Sequence, residues 1–389
     1  RALLDGVLPG KEPIDLSIGE PQARVPDFVP EIIARHSDDW GKYPPLRGTS
    51  IFNQALLEWL GRRYDLAQDK LDSGGAALPL SGTREGLFLA ACHAVAARRR
   101  EGVASPIVAY PNPFYHVYHA GAVANGAQAC TYHPDHCVAG ALCQIAEAHP
   151  GQMALAYVCT PGNPTGRVLD SDRIARLAQL AKAHDFIIVF DECYSEIYRD
   201  RPPPGSLELL HGCDQLDQVW VINSLSKRSG VPGLRCGFVY GPKSDMDAFA
   251  RLRSHAGAVP SMVIQNAAAA LWRDELHVIE ARAHYQALFA DADHWLGFYP
   301  GYRPVQAGFF LWLNVEDGEQ AARVLWRDYG LRVLPGAYMA SALDCGQVPG
   351  QAFIRIALVH DRPKTQQALE RLAAFLVRGG FNCPGALAS

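Results

Sequence analysis

Residues 219–240 read VWVINSLSKRSGVPGLRCGFVY, and the fold turns on how that stretch is read. An apolar run, 218–223, leads into two hydroxyls and an amine, Ser224, Ser226 and Lys227. A loop carrying Gly230, Pro232 and Gly233 follows, then Arg235, then a second apolar run, 236–240. Near-continuous apolar runs of this length suit strands buried on both faces of a parallel sheet. Four more have the same character, at 107–110, 128–132, 154–159 and 186–190. Helical patterns separate them at 84–99, 138–148 and 171–184. Such strand–helix–strand repetition predicts an α/β fold, with right-handed crossovers and helices packed on a mostly parallel sheet.

The two ends of the chain read differently. Residues 1–46 are rich in Pro and turn residues. Beyond 280 the order is helix 280–297, strand 309–315, helix 318–329, strand 331–334, strand 353–359 and helix 364–377, an α+β pattern. The expectation is a large domain, 47–279, and a smaller discontinuous α+β domain from 1–46 and 280–389. The 389-residue length accommodates this, since a domain takes ~150 residues. The tail 380–389, GFNCPGALAS, fits neither pattern and is expected to be a disordered end.

Composition removes several function classes. Apolar residues make up 49% and charged residues 20%, too apolar for a disordered chain. Thirty-six Lys and Arg against 40 Asp and Glu leave a net charge of −4. That balance gives no electrostatic reason for a nucleic-acid or anionic-membrane partner. No run approaches the ~20 apolar residues that span a bilayer. The opening RALLDGVLPGKEPIDLSIGEP lacks the charged-then-apolar order of a secretory signal. It also lacks an initiating Met, as expected where numbering starts inside a gene product. Ten Cys, none in a CxxC pair and several within apolar runs, fit buried free thiols of a cytoplasmic protein. The segment YHPDHC at 132–137 has ligand-type residues, but a metal site needs three or four that converge. It is read as a polar turn, with no metal expected. Arg98, Arg99 and Arg100 are read as a solvated helix end, where cations suit the dipole.

Four clusters carry chemistry, each at the end of a strand, where open α/β sheets bind ligands. The first is Ser224, Ser226 and Lys227 with Arg235. A lysine amine of lowered pKa attacks carbonyls, and the hydroxyls and guanidinium suit a phosphate. The second is Asp191, preceded by the apolar residues 187–190. A carboxylate there needs a cationic partner, although capping a following helix is an equal reading. Tyr194 lies three residues on, while Glu192 and Glu196 are read as helix or surface acids. The third is Pro161-Gly162-Asn163-Pro164-Thr165-Gly166, a rigid turn presenting the Asn163 amide. The fourth is Ser81-Gly82-Thr83, before a helix whose free N–H groups suit an anion, or else a simple Thr83 cap.

With SIGEP, KYPPLRG, SGTREGL, YPNPFYHVY and FIRIAL added, the chain resembles the fold type I, class I/II pyridoxal-phosphate aminotransferases from about Ile14 to Val377. The resemblance implies a mostly parallel, seven-stranded-type sheet, pyridoxal 5′-phosphate as cofactor, and a homodimer with shared sites. It implies that Lys227 bonds the cofactor and shuttles the proton, while Asp191 holds the pyridine nitrogen protonated. Asn163 and Tyr194 would contact the ring hydroxyl. Gly82, Thr83, Ser224, Ser226 and Arg235 would hold the phosphate, and Tyr43 would reach the phosphate of the partner subunit. Tyr115 would stack on the ring, with Phe114 as its alternative. Arg355 and Gly19, with Asn163, would bind the substrate α-carboxylate.

Within the family, GTREGLF, NPFYHVY and DECYSEIY are similar to the branch acting on N-succinyl-L,L-diaminopimelate in lysine biosynthesis. That implies ping-pong exchange between L-glutamate/2-oxoglutarate and an acidic 2-oxo acid. Ser81, Gly230, Arg24 and Val25 depart from that branch. The alternative is a class I/II aminotransferase for aspartate, alanine or aromatic amino acids. A remoter one is a non-catalytic regulatory domain, which would come with a basic DNA-binding segment that this sequence lacks. Arg24, Arg47 and His255 are candidates for a distal carboxylate.

Overall fold

The computed structural model describes residues 2–257, 259–343 and 345–378, so the tail 380–389 lies outside the described residues. Seven strands form one sheet, in the spatial order Ala76–Leu80, Gly237–Gly241, Val219–Ser224, Ile187–Asp191, Met153–Cys159, Ile107–Pro111 and Gln128–Tyr132. Gly237–Gly241 is antiparallel to both neighbours, and the other six strands run together. The carboxyl ends of those six, and the loop entering the seventh, therefore share one edge of the sheet. Every one of the four clusters is placed on that edge.

Successive side chains of a strand point to opposite faces, and the buried residues divide accordingly. Ile107, Ala109, Ile188, Phe190, Val219 and Val221 join one core, with Trp59 and Trp272. Val108, Tyr110, Val189, Trp220 and Ile222 join the other, under the helix Thr83–Arg100. The strand Gln128–Tyr132 differs from the rest. It is an edge strand, with Gln128 and Ala129 exposed rather than doubly buried. Ala76–Leu80 closes the opposite edge, where Pro79 is tolerated.

A third core joins Ile14 and Leu16 to the helices Leu276–Leu296, Gly318–Tyr329 and Arg362–Val377. They pack on a three-stranded antiparallel sheet, Leu334–Pro335, Phe353–Ala357 and Phe310–Asn314. Cys193, Tyr194 and Ile197, just past the large sheet, belong to this core too. The single strand expected at 331–334 is two strands in two sheets. Leu331–Arg332 pairs in parallel with Ile14–Asp15, whereas Leu334–Pro335 pairs with Phe353–Ala357.

Two smaller expectations also change. Glu192 and Glu196 are neither surface nor helical acids. They are 0% and 5% exposed, in a turn after Asp191. Glu192 accepts from Tyr64 Oη at 2.8 Å and from Ser206 N at 2.7 Å and Oγ at 2.6 Å. Glu196 takes Arg63 at 2.7 Å and Arg282 at 3.3 Å. Arg98 is no solvated charge, because it donates to Met153 O at 2.9 Å and pairs with Glu101 and Asp185. In the YHPDHC segment, His133 and His136 stack at 4.6 Å. Among the described residues, no group of three or more His, Cys, Asp or Glu could hold a metal ion.

Candidate active site

The edge where the clusters meet opens into a cleft of about 620 Å³. Gly19, Thr83, Tyr115, Asn163, Asp191, Tyr194, Ser224, Ser226, Lys227, Arg235 and Arg355 all line it. Two expected residues stand apart: Gly82 borders the cleft behind Arg235, and Tyr43 is 100% exposed on the surface. Between Tyr115 and its alternative, the structure separates the two. Phe114 is buried against His119 and Tyr110, away from the cleft.

Lys227 sits in the short helix Leu225–Arg228, directly after the strand Val219–Ser224. Burial pulls its amine down to about 8, with Arg355 and Arg235 contributing in the same direction. Lys227 Nζ donates to Gly19 O and lies 5.5 Å from the centre of the Phe309 ring. Arg355 projects from the strand Phe353–Ala357 and is 8% exposed. It donates to Asn163 Oδ1 at 3.0 Å and to Ser17 O at 2.8 Å. Its guanidinium lies over the Phe310 ring at 4.3 Å. Among the described residues no carboxylate pairs with it, and its buried Nε has no partner. Burial lowers it to about 10. A buried cation left unmatched is costly, and an incoming carboxylate would match it.

Asp191 ends the strand Ile187–Asp191 and caps no helix, which settles its two readings against the cap. Burial raises its pKa, opposed by hydrogen bonds from Cys193 and Tyr118. Tyr118 Oη donates to Oδ2 at 2.6 Å. Tyr118 itself stacks on Tyr157 at 4.6 Å. Tyr118 is the functional neighbour that the sequence reading missed. The available signal was its spacing from Tyr115, one helical turn along His116–Ala124. Tyr194 is buried against Phe309 and Phe310, and burial pushes its phenol well above the ordinary range.

At the other end of the cleft, Gly82 takes φ +82° at the start of the helix Thr83–Arg100. A Cβ there would collide with the Arg235 guanidinium, so Gly is required twice over. Arg235 is itself in the left-handed region, φ 54°, and donates to Pro232 O at 2.9 Å. Ser224 Oγ donates to Ser226 Oγ at 2.9 Å and accepts from Ser226 N at 3.0 Å. Hydroxyls, a guanidinium and a helix N-terminus thus face one point, an arrangement suited to a phosphate dianion. Arg24, Arg47 and His255 are not in the cleft. Arg24 pairs with Asp27 at 2.6 Å, Arg47 pairs with Asp247, and His255 is exposed. Arg84 and His116, which the sequence reading passed over, line it instead.

A lysine of depressed pKa, a buried carboxylate and an anion cradle on one sheet edge define a carbonyl-chemistry enzyme of the α/β class. The chain belongs to the aminotransferase class I and II family, whose model matches residues 11–372. It is similar to an aminotransferase from Neisseria meningitidis Z2491, at 33% identity over 96% of this chain and 95% of that one, with TM-score 0.87. Aminotransferase AspB from Helicobacter pylori 26695 is 30% identical over 96% of both chains, with TM-score 0.85. An LL-diaminopimelate aminotransferase from Moorella thermoacetica is 26% identical over 96% of this chain and 93% of its own length. The protein is a pyridoxal-phosphate-dependent transaminase. The residues present fit that cofactor. Arg235 fills the space a Gly82 side chain would take, and Asp191 is a buried carboxylate with no cation beside it among the described residues, whose charge a cationic ring nitrogen would match.

Proposed function

We propose that the chain moves an amino group between L-glutamate/2-oxoglutarate and an acidic 2-oxo acid, most closely N-succinyl-2-amino-6-oxopimelate, giving N-succinyl-L,L-diaminopimelate. The observation that carries the amino-acid reading is Arg355, buried with an unpartnered Nε and no carboxylate, in the cleft that holds Lys227. The motifs GTREGLF, NPFYHVY and DECYSEIY support the particular branch, and a diaminopimelate aminotransferase among the relatives points to the same carbon skeleton. Aspartate is the second reading, favoured by the name of the AspB relative.

Pyridoxal 5′-phosphate supplies an electron sink that acidifies the α-hydrogen of an amino acid bonded to it. Gly82, Thr83, Ser224, Ser226 and Arg235 would hold its phosphate. Tyr115 would cover its ring, and Asn163 and Tyr194 would meet its hydroxyl. Asp191 would keep the ring nitrogen protonated, with the Tyr118 hydrogen bond holding its carboxylate in place. Lys227 Nζ would take the proton from the substrate Cα and deliver it to the cofactor's C4′, a task for an amine titrating near working pH. Arg355 and the backbone at Gly19 orient the substrate carboxylate. We further propose a cytoplasmic homodimer in which Tyr43 reaches the partner's site, with 47–279 as the large domain. The full exposure of Tyr43 supports that reading.

A half-reaction screen tests the substrate class. Purified holoenzyme is mixed with single amino acids while cofactor absorbance is followed. Rapid change with glutamate and N-succinyl-diaminopimelate, and slow change with aspartate, alanine and phenylalanine, is expected. Rapid change with aspartate and none with the succinylated substrate would transfer the assignment to the second reading.

A further inference from the structure

Arg84 stands in the first turn of the helix Thr83–Arg100. That is the wrong end for a cation, because a helix N-terminus carries the positive end of the dipole. Among the described residues Arg84 has no carboxylate within ion-pair distance, although its neighbour Glu85 pairs with Arg253 at 2.9 Å. Its hydrogen bond among the described residues runs from Nε to Tyr115 Oη at 2.8 Å, and the guanidinium lies 5.8 Å from the centre of that ring. Nε and the aromatic ring therefore fix the plane of the guanidinium. Arg84 is exposed, and among the described residues neither terminal nitrogen has a protein partner, so both are open to a ligand from the cleft that the side chain lines with Arg355.

His116 lies within electrostatic range of both cations. Its ring is held toward the neutral form, chiefly by burial, then by Arg355, and also by Arg84. Two guanidiniums without carboxylates thus face one cleft, around a neutral imidazole. The acidic side chains that line this cleft are Asp191, committed to Tyr118, and exposed Glu20. A planar fork held by one nitrogen, with four N–H bonds free, is the geometry of bidentate carboxylate recognition.

We propose that Arg84 binds the distal carboxylate of a dicarboxylic substrate whose α-carboxylate is held by Arg355. This rests on the reading of the cleft as an amino-acid site and deepens it. Tyr115 then serves twice, as a ring cover and as the strut that orients Arg84. The rival role for Arg84 is to hold the cofactor phosphate beside Thr83.

Calorimetric titration of the holoenzyme with glutarate and with butyrate separates these readings, because neither acid can react. Wild type is expected to bind glutarate more tightly than butyrate. Arg84→Gln should weaken glutarate by about tenfold or more, the scale of losing a charged hydrogen-bond pair. Butyrate should change by less than about threefold, and the cofactor's visible absorbance should survive gel filtration. Arg84→Lys should recover part of the glutarate affinity. Equal weakening of both acids, or a wild type without preference for glutarate, would overturn the assignment. Loss of cofactor from Arg84→Gln would overturn it in favour of the phosphate role. Failure of the underlying reading looks different: wild type would bind neither acid, or Arg355→Gln would leave both affinities unchanged.

Discussion

At the scale of residues, the chemistry rests on charges kept without an opposite charge. Arg84, Arg235, Arg355 and Lys227 line one cleft, and none pairs with a carboxylate among the described residues. In a chain of net charge −4 this is a local excess that bulk composition hides. Burial disfavours the charged form of Lys227, so its proton leaves at lower pH than that of an exposed lysine. The neutral amine therefore accumulates through about 8 instead of the ordinary 10.5. In cofactor-free protein, acetylation of Lys227, read by peptide mass, should rise with pH and level off just above that point. A rate still climbing through 10.5 would mean that the amine is solvated and unactivated.

At the scale of elements, much was legible and the omissions have reasons. The run 107–110 matches the strand Ile107–Pro111, and 138–148 matches the helix Val138–Ala148, because each is bounded by turn residues. Ala76–Leu80 was passed over because AALPL is short and contains Pro79, which only an edge strand tolerates. The strand 331–334 misled because LRVL reads as one short strand interrupted only by Arg332, yet it serves two sheets in turn. Cofactor-type residues were legible because each follows its strand directly. Tyr118 and Arg84 were not, since their roles depend on contacts with Asp191 and Tyr115 at long range. The turn after Asp191 shows the same limit: Glu192 reads as polar but is buried. Glu192→Ala would leave Tyr64 Oη and the Ser206 groups without their acceptor. At ~1–3 kcal/mol for each of the three stranded buried donors, unfolding free energy should fall by about 3 kcal/mol or more, with Glu192→Gln losing less. Urea denaturation measures this, and wild-type stability in both variants would show that the network carries no load.

At the scale of the whole molecule, residues from the seven-stranded sheet and from the three-stranded sheet line one cleft. The large sheet supplies Lys227, Asp191 and Asn163 from its carboxyl edge. The third core supplies Arg355, and the segment at Ser17 and Gly19 reaches both Arg355 and Lys227. On the proposed roles, substrate carboxylate and cofactor would be gripped by different parts of the chain. Position along the chain gives no hint that Arg355 meets Asn163, 192 residues away. We propose that this cleft is built around Lys227 as the cofactor-bonding residue. Reduction of the holoenzyme with borohydride, followed by peptide mass mapping, tests it most directly. The account predicts a pyridoxyl group fixed on Lys227 and on no other lysine. A modified lysine elsewhere, or an unmodified Lys227 in fully loaded enzyme, would contradict it.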